Sequence, residues 1–269
     1  MAPITTTPRL YEAIIPGVPL AARALIWEVF FASRQRGVDL RTHFPWIEQS
    51  MDTHCLTLSE KEGGSAVASL VLRQRTHSPV GSCAMVGMVC VDLAWRGRGL
   101  ATRLLRRAHA FAIAQQFPAL VLWTGQPGIY RRHGFVPDKC DSLGQVTLDP
   151  LRLRAHVKFS KGQSHAARGL PPFAERLVYV ESAAAQLITL ETACEVALAE
   201  WQGSLPAVLD LIEVALPTTW HLNAPADAPI FEELHKRGHS YTPSPCATRM
   251  SLHLGPPATI PYISVLDRI

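Results

Sequence analysis

The segment "VDLAWRGRGLATRLL", residues 91–105, places two arginines and two glycines at the head of an otherwise ordinary amphipathic helix. A helix N-terminus leaves several backbone N–H groups unpaired and carries a partial positive charge, so anions collect there. Gly97 and Gly99 take two side chains out of the approach and allow backbone angles that other residues resist, while Arg96 and Arg98 add charge beside the same turn. This spacing suits the holding of a phosphate or diphosphate. The competing reading is a helix that merely opens with a loose turn. A Walker loop needs GxxxxGK[ST], which is absent, and the dinucleotide fingerprint GxGxxG fails because Thr102 occupies the third glycine position.

The elements that hold such a turn follow from hydrophobic spacing. "CAMVGMVCVD" (83–92) is apolar on nearly every residue, as in a central strand buried on both faces, and the turn comes directly after it, where ligands of such sheets gather. The helix expected over 99–116 repeats Leu100, Leu104, Ala108 and Phe111 on one face and turns Arg103, Arg106 and Arg107 away. Upstream, 18–36 predicts a helix on Leu20, Ala24, Trp27, Phe30 and Phe31, and a shorter helical stretch follows at 46–51. Residues 54–60 and 65–75 predict a hairpin about Gly63 and Gly64. Downstream come a buried strand (119–125), a short helix or turn, "PGIYRRHG", and a strand over 144–153.

Residues 156–175 are basic, polar and proline-containing, the composition of a linker. Beyond them the pattern predicts a strand (176–182), a helix with Leu187, Leu190, Cys194, Ala197 and Trp201 on one stripe, a strand (208–216), a short helix (228–238) and a last strand (247–254). That order repeats the order of 83–153 and suggests a second half-copy. The expected division is a catalytic domain over 1–155, a linker over 156–175 and a partial, degenerate module over 176–269.

Composition narrows the function classes. With 269 residues, 48% hydrophobic and 18% charged, the chain is an ordinary globular one. It has no uninterrupted apolar stretch of membrane-spanning length, and "MAPITTTPRLYEAI" lacks the basic start and apolar centre of a signal peptide, so a cytoplasmic protein without membrane attachment is expected. Six cysteines without a CxxC pair suit reduced, mostly buried thiols. His235 and His239 lie four apart, but Gly238 falls between them and HExxH is absent, so no metal is expected. A net charge of +4 favours an anionic ligand and is too small to argue for nucleic acid.

The flanks of the glycine turn resemble the GNAT superfamily of acetyl-CoA-dependent N-acetyltransferases. The signature (R/Q)xxGx(G/A) is met by Arg96, Gly99 and Ala101, preceded by the strand "MVCV" and by Trp95; Leu93 stands where many members have proline. The resemblance implies an α/β (α+β) fold, a mixed, mostly antiparallel sheet flanked by helices, with a second GNAT-like module after it. It also implies that the backbone of Val89, Cys90 and Val91 pairs with the pantetheine arm, and that Gly97, Arg98, Gly99, Leu100, Ala101 and Thr102 hold the diphosphate beside Arg96. In "GQPGIYRRHGF" (125–135), Gly125 and Gln126 join the coenzyme-binding set, Tyr130 takes the place of a tyrosine whose hydroxyl meets the coenzyme sulfur, and Gly134 and Phe135 complete the match. This form resembles the enhanced intracellular survival (Eis) type of bacterial acetyltransferase, which joins GNAT-like domains in tandem. The chain is shorter than the three-domain arrangement of that type, so its substrate range and assembly do not carry over.

Acetyl transfer from a thioester to an amine needs a neutral amine, a stabilised oxyanion and a proton for the leaving thiolate. Tyr130 suits the last role, and a backbone N–H near Val89 the second. No carboxylate lies on "CAMVGMVCV", so the base is open among His133, His54, Glu12, a water chain and, by likeness to the Eis type, the carboxylate of Ile269. The second module has neither glycine nor arginine in "VESAAAQLITL" and no tyrosine in "ELHKRG"; it is expected to extend the sheet or wall the acceptor pocket without binding coenzyme. The expected acceptor is a primary amine of a small molecule or peptide, and a homo-oligomer is compatible with the pattern. Arg103, Arg106, Arg107, Arg131 and Arg132 read as a solvated face, with coenzyme phosphates as the next candidate. Two other readings stay open: a non-catalytic acyl-CoA-binding or interaction protein, motivated by the missing strand carboxylate, and nucleic-acid binding by the arginine-rich helix, which the mild charge disfavours.

Overall fold

The computed structural model describes residues 9–34, 37–48, 51–77, 81–152, 156–163, 169–244, 247–256 and 259–269. Cys246, most of the N-terminal segment and residues 164–168 of the expected linker lie outside them.

The first half of the chain runs β1 (Tyr11–Pro16), α1 (Leu20–Phe30), α2 (Leu40–His43), β2 (Thr53–Ser59), β3 (Ala66–His77), β4 (Gly81–Val91), α3 (Leu100–Ala114), β5 (Ala119–Thr124), α4 (Pro127–Arg131), β6 (Val136–Pro137) and β7 (Asp141–Thr147). The second half runs β8 (Phe159–Gln163), β9 (Arg176–Ser182), β10 (Ala185–Glu191), β11 (Val196–Gly203), α5 (Leu205–Ala215), β12 (Thr219–Pro225), α6 (Ile230–Lys236), β13 (Ser240–Pro243) and β14 (Thr248–His253). Two seven-stranded sheets result, ordered β1-β2-β3-β4-β5-β14-β6 and β13-β7-β12-β11-β10-β9-β8. The strands pair antiparallel except at the centre of each sheet, where β4 runs parallel to β5 and β11 to β12.

The halves exchange strands. β14 lies between β5 and β6, and β7 lies between β12 and β13. A division of the sequence at 155 and 176 therefore assigns each of these strands to the half whose sheet it does not join. Part of the stretch expected as a linker is itself a strand, β8, paired with β9.

Core packing explains which helices form. α3 lays Leu100, Leu104, Leu105, Ala108 and Ala112 against Leu56, Leu70, Leu72, Val86 and Leu120 on one face of the first sheet. Spacings of three and four residues make that stripe one helix face. α1 covers the opposite face with Ala22, Leu25 and Ile26, a stripe rotated from the expected one, so that Leu20 is 77% exposed. It also ends at Phe30, earlier than expected, and the helical stretch expected at 46–51 is replaced by α2 and a single turn at Pro45–Glu48. Near the C-terminus, Ile260 and Ile263 pack on Cys83, Met85, Ala119 and Val121 of the first sheet, and Leu266 packs on Leu177, Leu190 and Ala199 of the second. That segment ties the two sheets together.

The second half departs most from expectation. The helix expected through Leu187, Leu190, Cys194, Ala197 and Trp201 is the hairpin β10–β11, and the strand expected at 208–216 is α5. β10 is covered on both faces, Leu187 by one core cluster and Leu190 by another, so two buried residues stand three apart as on a helix, while a bulge at Ala199 of β11 further disturbs the pattern in the partner strand. α5 buries Val208, Leu209, Leu211, Ile212, Glu213 and Ala215, so its short apolar run resembles a buried strand. Among the described residues, no helix is long and apolar enough to cross a membrane.

Candidate active site

The site begins where β4 and β5 part. Only Ala84 with Leu120 and Met85 with Val121 pair across them, and beyond Met85 and Val121 the two C-terminal ends are not paired with each other. β4 is also irregular at that point. Its register against β3 runs from Gly87 opposite Val71 to Cys90 opposite Ser69, so Met88 and Val89 together face Leu70. Such a bulge leaves one residue out of the hydrogen-bonded ladder. Met88 pays for it with φ +50°, a conformation that costs a residue with a Cβ about 1–2 kcal/mol.

The strand then feeds the glycine turn. Asp92 accepts hydrogen bonds that start a single helical turn at Leu93–Trp95, including one from the Ala94 N–H at 2.8 Å. Arg96 Nε donates to the Val91 carbonyl at 3.2 Å, and Arg98 stacks 4.7 Å from the Trp95 ring centroid and donates to the Ala94 carbonyl. Gly97 and Gly99 hold φ of +75° and +73°, and Gly99 is the cap of α3, with no side chain satisfying the N–H groups of the first turn. A Cβ on either glycine would meet nothing within 4 Å. Backbone conformation, not crowding, fixes glycine here, and the donors of Leu100, Ala101 and Thr102 sit behind an open approach. An anionic group such as a diphosphate fits this cradle.

At the facing strand, Gly125 and Gln126 follow β5 and are exposed, and the Gln126 N–H is held by Thr124 Oγ1 at 2.9 Å. α4 comes next and carries Tyr130. Its ring packs against the first core and meets Phe135 edge-on, with centroids 6.0 Å apart. Burial raises the Tyr130 pKa above the ordinary tyrosine value, so the phenol keeps its proton at neutral pH.

The candidate bases are treated unequally. Glu12, on β1, is held by Arg103 and Arg107 of α3, each at 3.0 Å, and serves as a clamp between strand and helix. His54 lies against Phe111, 4.9 Å between ring centroids, and burial lowers its pKa. His133 follows α4; burial, then Arg106 and Arg132, lower its pKa. Ile269 is placed at β4: a Cβ on Gly87 would lie 2.6 Å from the Ile269 carbonyl carbon and oxygen. Only glycine permits that approach. An isolated glycine inside an apolar strand is the sequence signal for it, together with the bulge one residue on.

The second half repeats the layout without the cradle. β11 and β12 pair only at Ala197 with His221 and Leu198 with Leu222, and the turn into α5 lies at Gly203–Pro206, some 20 residues beyond the position expected from sequence. It has no arginine, and proline in the first turn removes one N–H donor. The C-terminal segment fills the space beside it: Leu266 packs on Ala199, and Tyr262 Oη lies 3.0 Å from both the carbonyl and Oδ1 of Asn223. His239 is buried between Glu213, 3.2 Å from Nε2, and the Asp149 N–H, which donates to Nδ1. Among the described residues, no group of three or more His, Cys, Asp and Glu is placed to hold a metal ion.

The site thus combines a central strand pair that parts early, a bulge beside it and a glycine turn at the head of the next helix. Residues 20–135 match the family model of the acetyltransferase (GNAT) family, and this part of the chain is a GNAT acetyltransferase domain. No curated protein matches the sequence. Solved structures share the fold over most of the chain. A probable N-acyltransferase of unknown function from Enterococcus faecalis V583 superposes with a TM-score of 0.63 at 14% identity, covering 93% of this chain and 73% of that one. Eis1 from Mycobacterium abscessus gives 0.57 at 13% identity, covering 91% and 74%. A tandem GNAT protein from the clavulanic acid biosynthesis pathway gives 0.56 at 12% identity, covering 93% and 100%. The architecture is thus that of two GNAT-like modules in tandem, and the protein is an acyltransferase.

Proposed function

We propose that the protein is a cytoplasmic N-acetyltransferase that moves an acetyl group from acetyl-CoA to a primary amine of a small molecule or peptide, within a ternary complex. The observation that carries this reading is the early end of pairing between β4 and β5, with the uncapped glycine turn following β4 and the segment that carries Tyr130 following β5. The coenzyme supplies the acetyl thioester. The N–H groups from Gly97 to Thr102 hold its diphosphate, Arg96 and Arg98 contribute positive charge, and the backbone of Val89, Cys90 and Val91, with Gly125 and Gln126, lines the pantetheine arm. The bulge at Met88 and Val89 offers an N–H to the acetyl oxygen as it gains charge when the amine nitrogen bonds to the carbonyl carbon. Tyr130 gives its proton to the sulfur as the carbon–sulfur bond breaks, the proton that the nitrogen sheds on becoming an amide returns through water to the phenolate, and the raised pKa keeps the phenol protonated beforehand.

Catalysis resides in the first module, and the second supports it without taking coenzyme. Five described cysteines are free thiols, as suits a reducing compartment. The test is thiol release from acetyl-CoA across a panel of primary amines, with mass spectrometry of the products. An acetylated amine formed only with wild-type protein supports the reading; tight coenzyme binding with no product from any amine or amino-terminal peptide refutes it.

A further inference from the structure

A hollow of about 250 Å³ lies between the middle of α3 and the end of α4, floored by Leu105 and Phe135 and walled by Arg106, His109, Arg132 and His133. The arginines of α3 divide into two sets. Arg103 and Arg107 are neutralised by Glu12, whereas no carboxylate pairs with Arg106 or Arg132 among the described residues. Two guanidinium groups and two imidazoles thus converge on one concavity, and His133 feels their field, since Arg106 and Arg132 both disfavour its protonation. Convergent cations without a counter-charge are arranged for an anion that the protein does not itself supply.

Position along the helix says which anion. Thr102, Arg106 and His109 recur at spacings of four and three and so share one face, and Thr102 contributes to the diphosphate cradle. Arg106 stands one turn, about 6 Å, further along the axis. In coenzyme A a single ribose separates the 5′-diphosphate from the 3′-phosphate. One helix face can therefore meet both groups, the first with backbone N–H groups and the second with side chains.

We propose that this hollow binds the 3′-phosphate of the coenzyme and makes the enzyme discriminate against coenzymes that lack it. The proposal rests on the coenzyme reading above and adds a specificity element to it: Arg106 and Arg132 as the forked donors and His109 and His133 as the remaining wall. Arginine is suited to this task because its planar fork meets two phosphate oxygens at once.

The experiment is calorimetric titration of the full chain with acetyl-CoA and with acetyl-3′-dephospho-CoA, on wild type and on the double variant Arg106→Gln/Arg132→Gln. Wild type is expected to bind the 3′-phosphorylated form at least about tenfold more tightly, the scale of one or two charge-assisted contacts. In the double variant the two affinities converge, while the dephospho form keeps its wild-type affinity and so reports an intact fold and cradle. Equal affinities in wild type overturn the proposal and leave the coenzyme reading standing, as does a preference that survives in the double variant. Equal loss of both forms in the variant also overturns it, because the arginines then serve the cleft as a whole. Failure of both forms to bind wild type removes the coenzyme reading as well.

Discussion

Gly99 offers the sharpest test of where the diphosphate sits, because strain and charge can be separated there. It caps α3 at φ +73°, and an L-residue in that region costs about 1–2 kcal/mol. Space is not limiting, since a Cβ would touch nothing within 4 Å. Gly99→Ala therefore isolates the backbone strain and should lower the thermal midpoint by a few degrees, about 2–4 °C per kcal/mol for a chain of this size. Gly99→Glu carries the same strain and adds a negative charge at the mouth of the cradle. At about 5 Å from two phosphate charges, with screening between the protein-surface and bulk-water limits, repulsion sums to about 2–3 kcal/mol, or roughly 30- to 150-fold in Kd. The assay is a thermal-shift titration with acetyl-CoA. Ligand at 100 times its Kd stabilises wild type by about 2.7 kcal/mol, a shift of several degrees. The alanine variant should start lower and shift as far, whereas the glutamate variant should start near the alanine variant and shift by about a third as much or less, about 0.3–0.9 kcal/mol at the same ligand concentration. Equal responses from the two variants would mean that the turn does not hold the diphosphate.

Tyr130→Phe should lower kcat by about 10²-fold with little change in KM, since only the proton transfer is lost. Because burial raises the Tyr130 pKa, the wild-type rate should show no alkaline fall from this group below about pH 10; a rate and pH profile identical in the phenylalanine variant contradict its role. Burial also raises Cys55 to about 12 and Cys83 and Cys90 to about 11, from an ordinary thiol value of 9.0. With folded values above unfolded ones, their contribution to stability is complete below pH 9.0 and is lost as pH rises through 11 to 12. Urea midpoints should therefore fall on the alkaline side, and a thiol reagent at neutral pH should label exposed Cys194 at once and these three only on unfolding; rapid native labelling of all of them would refute the packing. A fragment ending at residue 155 lacks β14, which exposes the edge of β5 and removes the one strand that pairs with β6 among the described residues. It should aggregate when expressed alone, and a monomeric fragment with a cooperative melt would count against the strand exchange.

The glycine turn was legible because its demands are local. Positive φ at Gly97 and Gly99 and an apolar stripe through Leu100, Leu104 and Ala108 are all stated within 15 residues. Two things escaped. Burial of β10 on both faces imitates helical spacing, and α5 is buried almost all round, so hydrophobic period alone assigns both segments to the wrong class. Pro206 at the start of α5 and Gly203 just before it were the available corrective signals. The strand exchange leaves no local mark at all. The choice between partners is made by contacts distant in sequence, as between Thr147 and Thr219 for β7 and between Leu122 and Met250 for β14. Gly87 lies between these cases: its place in an apolar strand marks a close approach but does not say that Ile269 makes it.

On the proposed reading, the exchange gives the second module a part in the chemistry although it lacks the glycine turn of the first. α4, which carries Tyr130, lies between β5 and β6, and β14 pairs with both: Thr248 stands opposite Thr124 at the end of β5, and Met250 and Ser251 stand opposite Pro137 and Val136 of β6. The segment that presents the phenol is therefore fastened at both ends to a single strand from the far end of the chain. Arg249 on that strand reinforces the fastening, 3.2 Å from Asp138 just beyond β6 and over the Trp123 ring of β5 at 5.7 Å. A proton donor works only if it is held within hydrogen-bond reach of the leaving atom, and the cost of misplacing it by 1 Å is about 10²-fold in rate. β14 sets that position. On the proposed reading, the second module can lack the glycine turn and still be needed for transfer, because what it contributes is the strand on which Tyr130 is hung.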